Sequence, residues 1–132
     1  MSKPKVLIID DDDTYRSVLN DVLTESGYLV VEARSGAEGV EQARHANPDV
    51  ILLDIMMPVM DGYQTCRQLR HNPATREIPI IMLTALTDSE ARFKSKEAGA
   101  DDYIAKPYPA QEMKNRIDRQ LRRRALQRKP RG

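Results

Sequence analysis

Five times along this chain a short apolar run gives way to an amphipathic stretch. The apolar runs are Val6–Ile9, Leu29–Val31, Val50–Leu53, Ile78–Leu83 and, more weakly, Tyr103–Ala105. Three of them are rich in Val and Ile and show no polar alternation, as strands covered on both faces should be. Between them, Tyr15, Val18, Leu19, Val22 and Leu23 recur at three and four residues, and Tyr63, Cys66 and Leu69 at three. That spacing predicts helices with one apolar stripe. Gly36–Ala46 and Ser89–Ala98 predict shorter, more polar helices. The last helix is expected from about Ala110 past Leu121, with Met113, Ile117 and Leu121 on one face.

The punctuation agrees with this reading. Ser35, Asp61 and either Asp88 or Ser89 precede helical stretches and can accept the free N–H groups of a helix start. Gly27 and Gly99 fall where helices should stop in a left-handed turn. Pro48 and Pro79 stand just before or at strand starts, where a missing N–H does little harm. Strands alternating with helices imply parallel strands joined by right-handed crossovers. The expected fold is an α/β doubly wound (βα)5 sandwich of the flavodoxin-like kind. Its parallel five-stranded sheet has the order 2-1-3-4-5, with a ligand crevice at the carboxyl ends of strands 1 and 3.

Length and composition narrow the class. The chain has 132 residues, 40% apolar and 31% charged, which suits one soluble globular domain. Asp54, Pro58 and Asp61 interrupt the longest candidate for a membrane helix, and Val6–Ile9 is too short for a signal peptide core. Cys66 is the single cysteine, so an internal disulfide is excluded and a reducing, cytoplasmic location is expected. The net charge of +1 hides an asymmetry: residues 116–132 sum to +7 and the rest to −6. The basic end comprises Arg116, Arg119, Arg122, Arg123, Arg124, Arg128, Lys129 and Arg131. It reads first as a solvated helix end with a frayed terminus, and second as a surface for nucleic acid or an acidic partner. Specific DNA recognition is not expected, because residues 122–132 leave no room for a reader with its own core.

The polar residues at the strand ends carry the chemistry. Strand 1 ends in Asp10 and Asp11, strand 3 in Asp54, strand 4 in Thr84 and strand 5 in Lys106. Crowded carboxylates raise one another's pKa unless a cation neutralises them. Oxygen ligands without Cys or His suit a hard ion such as Mg²⁺, or Mn²⁺. Lys106 adds a point charge for phosphate oxygens. Such a site is equipped to hold a phosphoryl group.

Val6-Leu7-Ile8-Ile9-Asp10-Asp11, Pro48 to Pro58 around Asp54, Asp61-Gly62, Pro79 to Ala85, and Gly99 to Pro107 together resemble the receiver domain of two-component response regulators, including the chemotaxis-regulator type. The resemblance covers roughly residues 4–121, in the family's order and spacing. It implies that Asp54 accepts a phosphoryl group from a phosphohistidine on a histidine kinase or phosphotransfer protein. Asp10 and Asp11, with Asp54 and the backbone carbonyl of Met56, would organise Mg²⁺. Lys106 would bond a phosphoryl oxygen, Thr84 would move toward the phosphoryl group, and Tyr103 would change rotamer with it. Pro58, Gly62, Ala85 and Pro107 would support the loops. The face formed by the fourth helix, fifth strand and fifth helix, about Asp88 to Leu121, would report the change to a downstream effector or in a phosphorylation-linked dimer. On this reading residues 1–121 are the receiver and 122–132 a basic tail.

Some positions depart from the family pattern. Pro109 stands where a helix-capping Asp or Ser is common. Met56 and Leu86 are apolar where polar residues could hold an attacking water, so self-dephosphorylation is expected to be slow. Asp12 and Asp13 extend the acidic pair, and either can cap the first helix. Tyr103 fits fixed packing as well as a switch, while His45 and His71 are expected at the surface. Two other functions are weighed against this one. One is a Mg²⁺-dependent aspartyl phosphohydrolase, since Asp10-x-Asp12 has the right spacing at strand 1. The other is a nucleic-acid-binding protein acting through the tail.

Overall fold

The chain's strongest apolar runs lie side by side at the centre of one sheet. The computed structural model describes residues 3–85 and 89–127; Leu86, Asp88, Arg128, Lys129 and Arg131 lie outside them. In chain order the elements are β1 (Lys5–Ile9), α1 (Asp13–Glu25), β2 (Leu29–Ala33), α2 (Gly36–Ala46), β3 (Val50–Asp54), α3 (Gly62–His71), β4 (Ile80–Thr84), α4 (Ser89–Ala98), β5 (Asp102–Ala105) and α5 (Ala110–Gln127). The sheet order is β2-β1-β3-β4-β5, every pairing is parallel, and Leu7 faces Val31 on one side and Ile51 on the other.

The two-residue period of a strand splits the core into two layers. Leu7, Ile9, Ile51, Leu53, Ile80 and Met82 point to the face covered by α2, α3 and the end of α4. Val6, Ile8, Leu52, Ile81 and Leu83 point to the face covered by Leu19 and Leu23 of α1 and by Met113 and Ile117 of α5. Both faces are dry, which is why β1, β3 and β4 show no polar alternation. Among the described residues, no helix is long and apolar enough to cross a membrane.

Local signals act where the sequence places them. Asp12 caps α1 by accepting the Tyr15 N–H at 3.0 Å, and Asp13, the first helical residue, pairs with Arg16 at 2.6 Å. Ser35 caps α2, and Asp61 with Gln64 forms a reciprocal capping box on α3. Gly27 and Gly99 have φ of 96° and 104°, so both end helices in the left-handed region. Pro109 offers only its carbonyl, which accepts the Glu112 N–H at 3.0 Å.

Several details differ from the sequence pattern. Strand β2 extends to Ala33, and β4 begins at Ile80, after Pro79. Val18, counted in the apolar stripe of α1, is 58% exposed, whereas Arg16 beside it is buried. Helix α5, in contrast, runs from Ala110 past Leu121 as expected, to Gln127. In its last turns Arg124 donates to the carbonyls of Pro48 and Asp49 at 3.1 and 3.2 Å. Arg116 pairs with Asp102 at 2.6 Å and with Glu112, and Arg122 pairs with Asp118 at 2.6 Å, so at least these three of the eight basic residues have partners within the described residues.

Candidate functional site

The carboxyl ends of β1 and β3 are adjacent, so Asp10, Asp11 and Asp54 meet at one edge of the sheet. A carboxylate oxygen from each lies within 4.8 Å of the others. Asp10 and Asp54 are buried and Asp11 is exposed. Two strands supply the buried pair because parallel neighbours end in register. The turn after β1 is then fixed by polar contacts. Asp10 accepts the Asp12 N–H on its Oδ1 at 2.9 Å, and its carbonyl accepts Arg16 Nη1 at 2.7 Å.

That arginine is the functional neighbour that sequence reasoning missed. Its guanidinium also donates to Glu32 on β2 at 2.8 Å, and Asn20 holds the other Glu32 oxygen at 2.7 Å. A charged residue in a helical stripe gives no sign of its burial until its partner, sixteen positions away in the chain, is seen beside it.

The turn after β3 has its own clamp. Gly62 donates its N–H to the Ile55 carbonyl at 2.8 Å, and Ile55 donates to the Leu83 carbonyl on β4 at 3.1 Å. Met56 and Pro58 are exposed and Met57 is buried, so the loop is pinned by alternate residues. Val59 is fully exposed with φ of 69°, a left-handed conformation that a β-branched residue seldom adopts.

Lys106 reaches the pocket from the end of β5. Its backbone N–H donates to the Thr84 carbonyl at 2.7 Å, and its ammonium lies 3.4 Å from both Asp10 Oδ2 and Asp54 Oδ1. Thr84, at the end of β4, is buried, and Ala85 beside it is exposed. Pro107 follows Lys106 through a cis peptide. Tyr103 is half-buried on the α3–α4 face of the sheet, with the Arg92 guanidinium 5.6 Å from its ring centre. It therefore stands apart from the carboxylates, as does the surface pair His45 and Glu41.

Burial, then the charge of Asp10, pushes the Asp54 carboxyl up to about 6, with Lys106 opposing the shift. A group so poised is stabilised in its ionised form by added positive charge. The donor set fits Mg²⁺. Asp10, Asp11 and Asp54 would each offer it a carboxylate oxygen, the donor type a hard divalent ion takes. All are oxygens, and the Lys106 ammonium leaves the exposed Asp11 side open.

Residues 6–118 match the family model of the response regulator receiver domain. The chain belongs to that family. Receivers are signalling switches phosphorylated by histidine kinases, and they bind Mg²⁺ at an acidic pocket. The match also disfavours the phosphohydrolase alternative. The chain is 43% identical, over 92% of its length, to the transcriptional regulatory protein ResD of Bacillus subtilis. It is 40% identical, over 91% of its length, to the DNA-binding dual master transcriptional regulator RpaA of a Synechocystis strain. It covers 50% of each of these, so it spans about half the length of the curated relatives it matches. Among solved structures, the receiver domain of the Pseudomonas aeruginosa sensor histidine kinase PA1611 superposes with a TM-score of 0.85 at 32% identity, covering 91% of this chain and 98% of that one. It is described with a magnesium ion coordinated in its active-site cleft. The Vibrio cholerae chemotaxis protein CheY4 gives a TM-score of 0.85 at 32% identity, covering 89% and 98%.

Proposed function

We propose that Asp54 is the phosphoacceptor of this receiver and that Asp10, Asp11 and Lys106 form its machinery. The observation that carries this is the convergence of three carboxylates and one ammonium from the ends of β1, β3 and β5. An Asp54 oxygen attacks the phosphorus of a phosphohistidine on a histidine kinase or phosphotransfer protein. A P–O bond forms, the P–N bond breaks, and the imidazole keeps the electron pair and takes up a proton. The product is an acyl phosphate. Little covalent chemistry is asked of the protein; it positions the acceptor and balances charge.

Asp10, Asp11, Asp54 and the Met56 carbonyl are the residues that would hold Mg²⁺ or Mn²⁺, which when bound neutralises the charge building on the phosphoryl oxygens. Lys106 engages one phosphoryl oxygen. Thr84, at the adjacent strand end, supplies a hydroxyl to another, and Tyr103 follows that movement. Phosphorylation replaces one charge with nearly two, and the expected output is a population shift between two conformations of the receiver. The α4–β5–α5 face then engages an effector or a second receiver. The apolar side chain of Met56 at the rim limits ordered water, which favours a long-lived acyl phosphate. We place the receiver at residues 1–121 and treat 122–132 as a basic extension that begins as the last turns of α5, in a protein working in the cytoplasm.

Intact mass after incubation with Mg²⁺ and acetyl phosphate tests this reading. Wild type should gain one phosphoryl group and Asp54→Asn none. Asp11→Ala should weaken Mg²⁺ binding in a titration. Labelling of Asp54→Asn at the wild-type rate would move the acceptor elsewhere.

A further inference from the structure

A tyrosine of α1, paired with one from the β5–α5 connection, stands against the lysine of the acceptor pocket. Tyr15, in the first turn of α1, lies with its ring centre 3.9 Å from the Lys106 ammonium. That is well inside the range in which a cation is attracted to an aromatic face. Tyr108, two residues after Lys106, meets Tyr15 edge-on, with ring centres 6.5 Å apart and planes at 84°. The two hydroxyls are hydrogen-bonded to each other across ninety-three positions of chain. Both rings are half-buried at the polar end of an apolar cleft between α1 and α5. Burial pushes both phenols above their ordinary value, so both are neutral and the ring face is available to a cation.

The Lys106 ammonium is therefore held from two sides. The carboxylates of Asp10 and Asp54 each stand 3.4 Å away, longer than a charge-assisted hydrogen bond of about 2.8 Å. Neither carboxylate alone fixes a flexible four-carbon stem. The Tyr15 face supplies the third wall. We propose that Tyr15 is a positioning residue for Lys106: its ring, packed edge-on against Tyr108, holds the ammonium over the acceptor before the phosphoryl group arrives. This rests on the assignment of Asp54 as acceptor and adds a role for residues outside the carboxylate cluster. The principle is preorganisation: a side chain already confined loses less freedom when it meets the transferring group.

The test is a double-mutant cycle on phosphoryl uptake from acetyl phosphate in saturating Mg²⁺, read by intact mass. Tyr15→Leu removes the ring and should slow uptake about tenfold, equivalent to about 1.4 kcal/mol. Tyr15→Phe and Tyr108→Phe keep the ring and should stay within about threefold of wild type. In a Lys106→Met background there is no ammonium to hold, so Tyr15→Leu should change the rate less than twofold. Mg²⁺ affinity should move less than twofold in all Tyr15 variants. Equal slowing in both backgrounds, or Tyr15→Phe as slow as Tyr15→Leu, would overturn the proposal, as would a parallel fall in Mg²⁺ affinity. A second measurement needs no apolar variant. The Lys106 ε-methylene signal, assigned by its loss in Lys106→Met, should be shifted upfield by the ring in wild type and in Tyr15→Phe. An unshifted signal in wild type would refute the contact. Should wild type itself take up no phosphoryl group, the assignment of Asp54 fails, an outcome distinct from all of these.

Discussion

Gly62 is where the acceptor's position is most exposed to a single atom. It begins α3, directly beneath the end of β3. A Cβ built on it would lie 2.5 Å from the Asp54 carbonyl oxygen and 2.7 Å from the Ile55 Cα, where ordinary contact begins at 3.4 Å. Both obstacles are backbone, so neither can swing aside, and the strand end must move by roughly 1 Å to admit the methyl. Overpacking of this kind costs about 1–3 kcal/mol. The helix preference of Ala over Gly returns less than about 1 kcal/mol at a first-turn position. Gly62→Ala should therefore lose about 2 kcal/mol of stability. It should also displace Asp54, and about 1 Å of misplacement can cost roughly 100-fold in rate. Urea unfolding followed by circular dichroism should show a lower midpoint at unchanged slope, and intact mass should show phosphoryl uptake slowed tenfold or more. Gly27→Ala is the control. Its φ is 96° but nothing lies within 4 Å, so it should cost about 1 kcal/mol of backbone strain and leave uptake unchanged. A Gly62→Ala protein with the wild-type midpoint and wild-type uptake would refute the reasoning.

Three further outcomes follow from the geometry. Without Mg²⁺, Asp54 is raised to about 6 by burial and by Asp10, with Asp11 adding to the shift and Lys106 opposing it. The fold therefore disfavours the ionised form, and stability falls as pH rises from about 4 to about 6. Asp54→Asn should then be more stable than wild type at pH 7.5 by on the order of 2–3 kcal/mol. That advantage should vanish by pH 4, and a difference constant across this range would contradict the shift. Val59→Gly relieves a left-handed β-branched residue at an exposed site. Relief of about 1–2 kcal/mol less the entropy cost of glycine should raise thermal stability slightly; a lower melting temperature would show that the valine is not strained. Arg16→Met strips donors from the Asp10 carbonyl and from Glu32 and should cost about 2 kcal/mol while weakening Mg²⁺ binding. Unchanged urea unfolding would mean that the turn after β1 holds itself.

The fold was legible because its central strands are unmixed. Val6–Ile9, Val50–Leu53 and Ile80–Leu83 are buried on both faces, so their composition alone marks them. The carboxylates were legible because Asp10 and Asp54 each follow such a run directly and Asp11 stands one further on, and parallel strands in that order must place their ends together. Residues that act through distant partners were not legible. Arg16 looks like a solvent-facing helix residue until Glu32 is brought alongside it by β2, and its burial is linked to the exposure of Val18. Tyr15 and Tyr108 carry no motif, and their pairing depends on how α1 and the β5–α5 connection converge on one face. Arg124 reads as one more tail cation until the length of α5 carries it to the start of β3. Nothing in a Pro-Val-Met sequence announces the left-handed turn at Val59.

The two tyrosines over the pocket also give this protein an optical handle of its own. The chain has five tyrosines and no tryptophan, so tyrosine emission is neither masked nor drained by a stronger acceptor. Tyr15 and Tyr108 touch each other, and Tyr15 faces the ammonium beside the acceptor. Tyr28 and Tyr63 form a steadier background, and the proposed movement of Tyr103 adds to the signal on phosphorylation. Charge entering the pocket should therefore change the quantum yield and near-ultraviolet absorbance of unlabelled protein. Cation binding and phosphoryl turnover can then be timed in a stopped-flow cell without a dye, a fused reporter or a substituted residue.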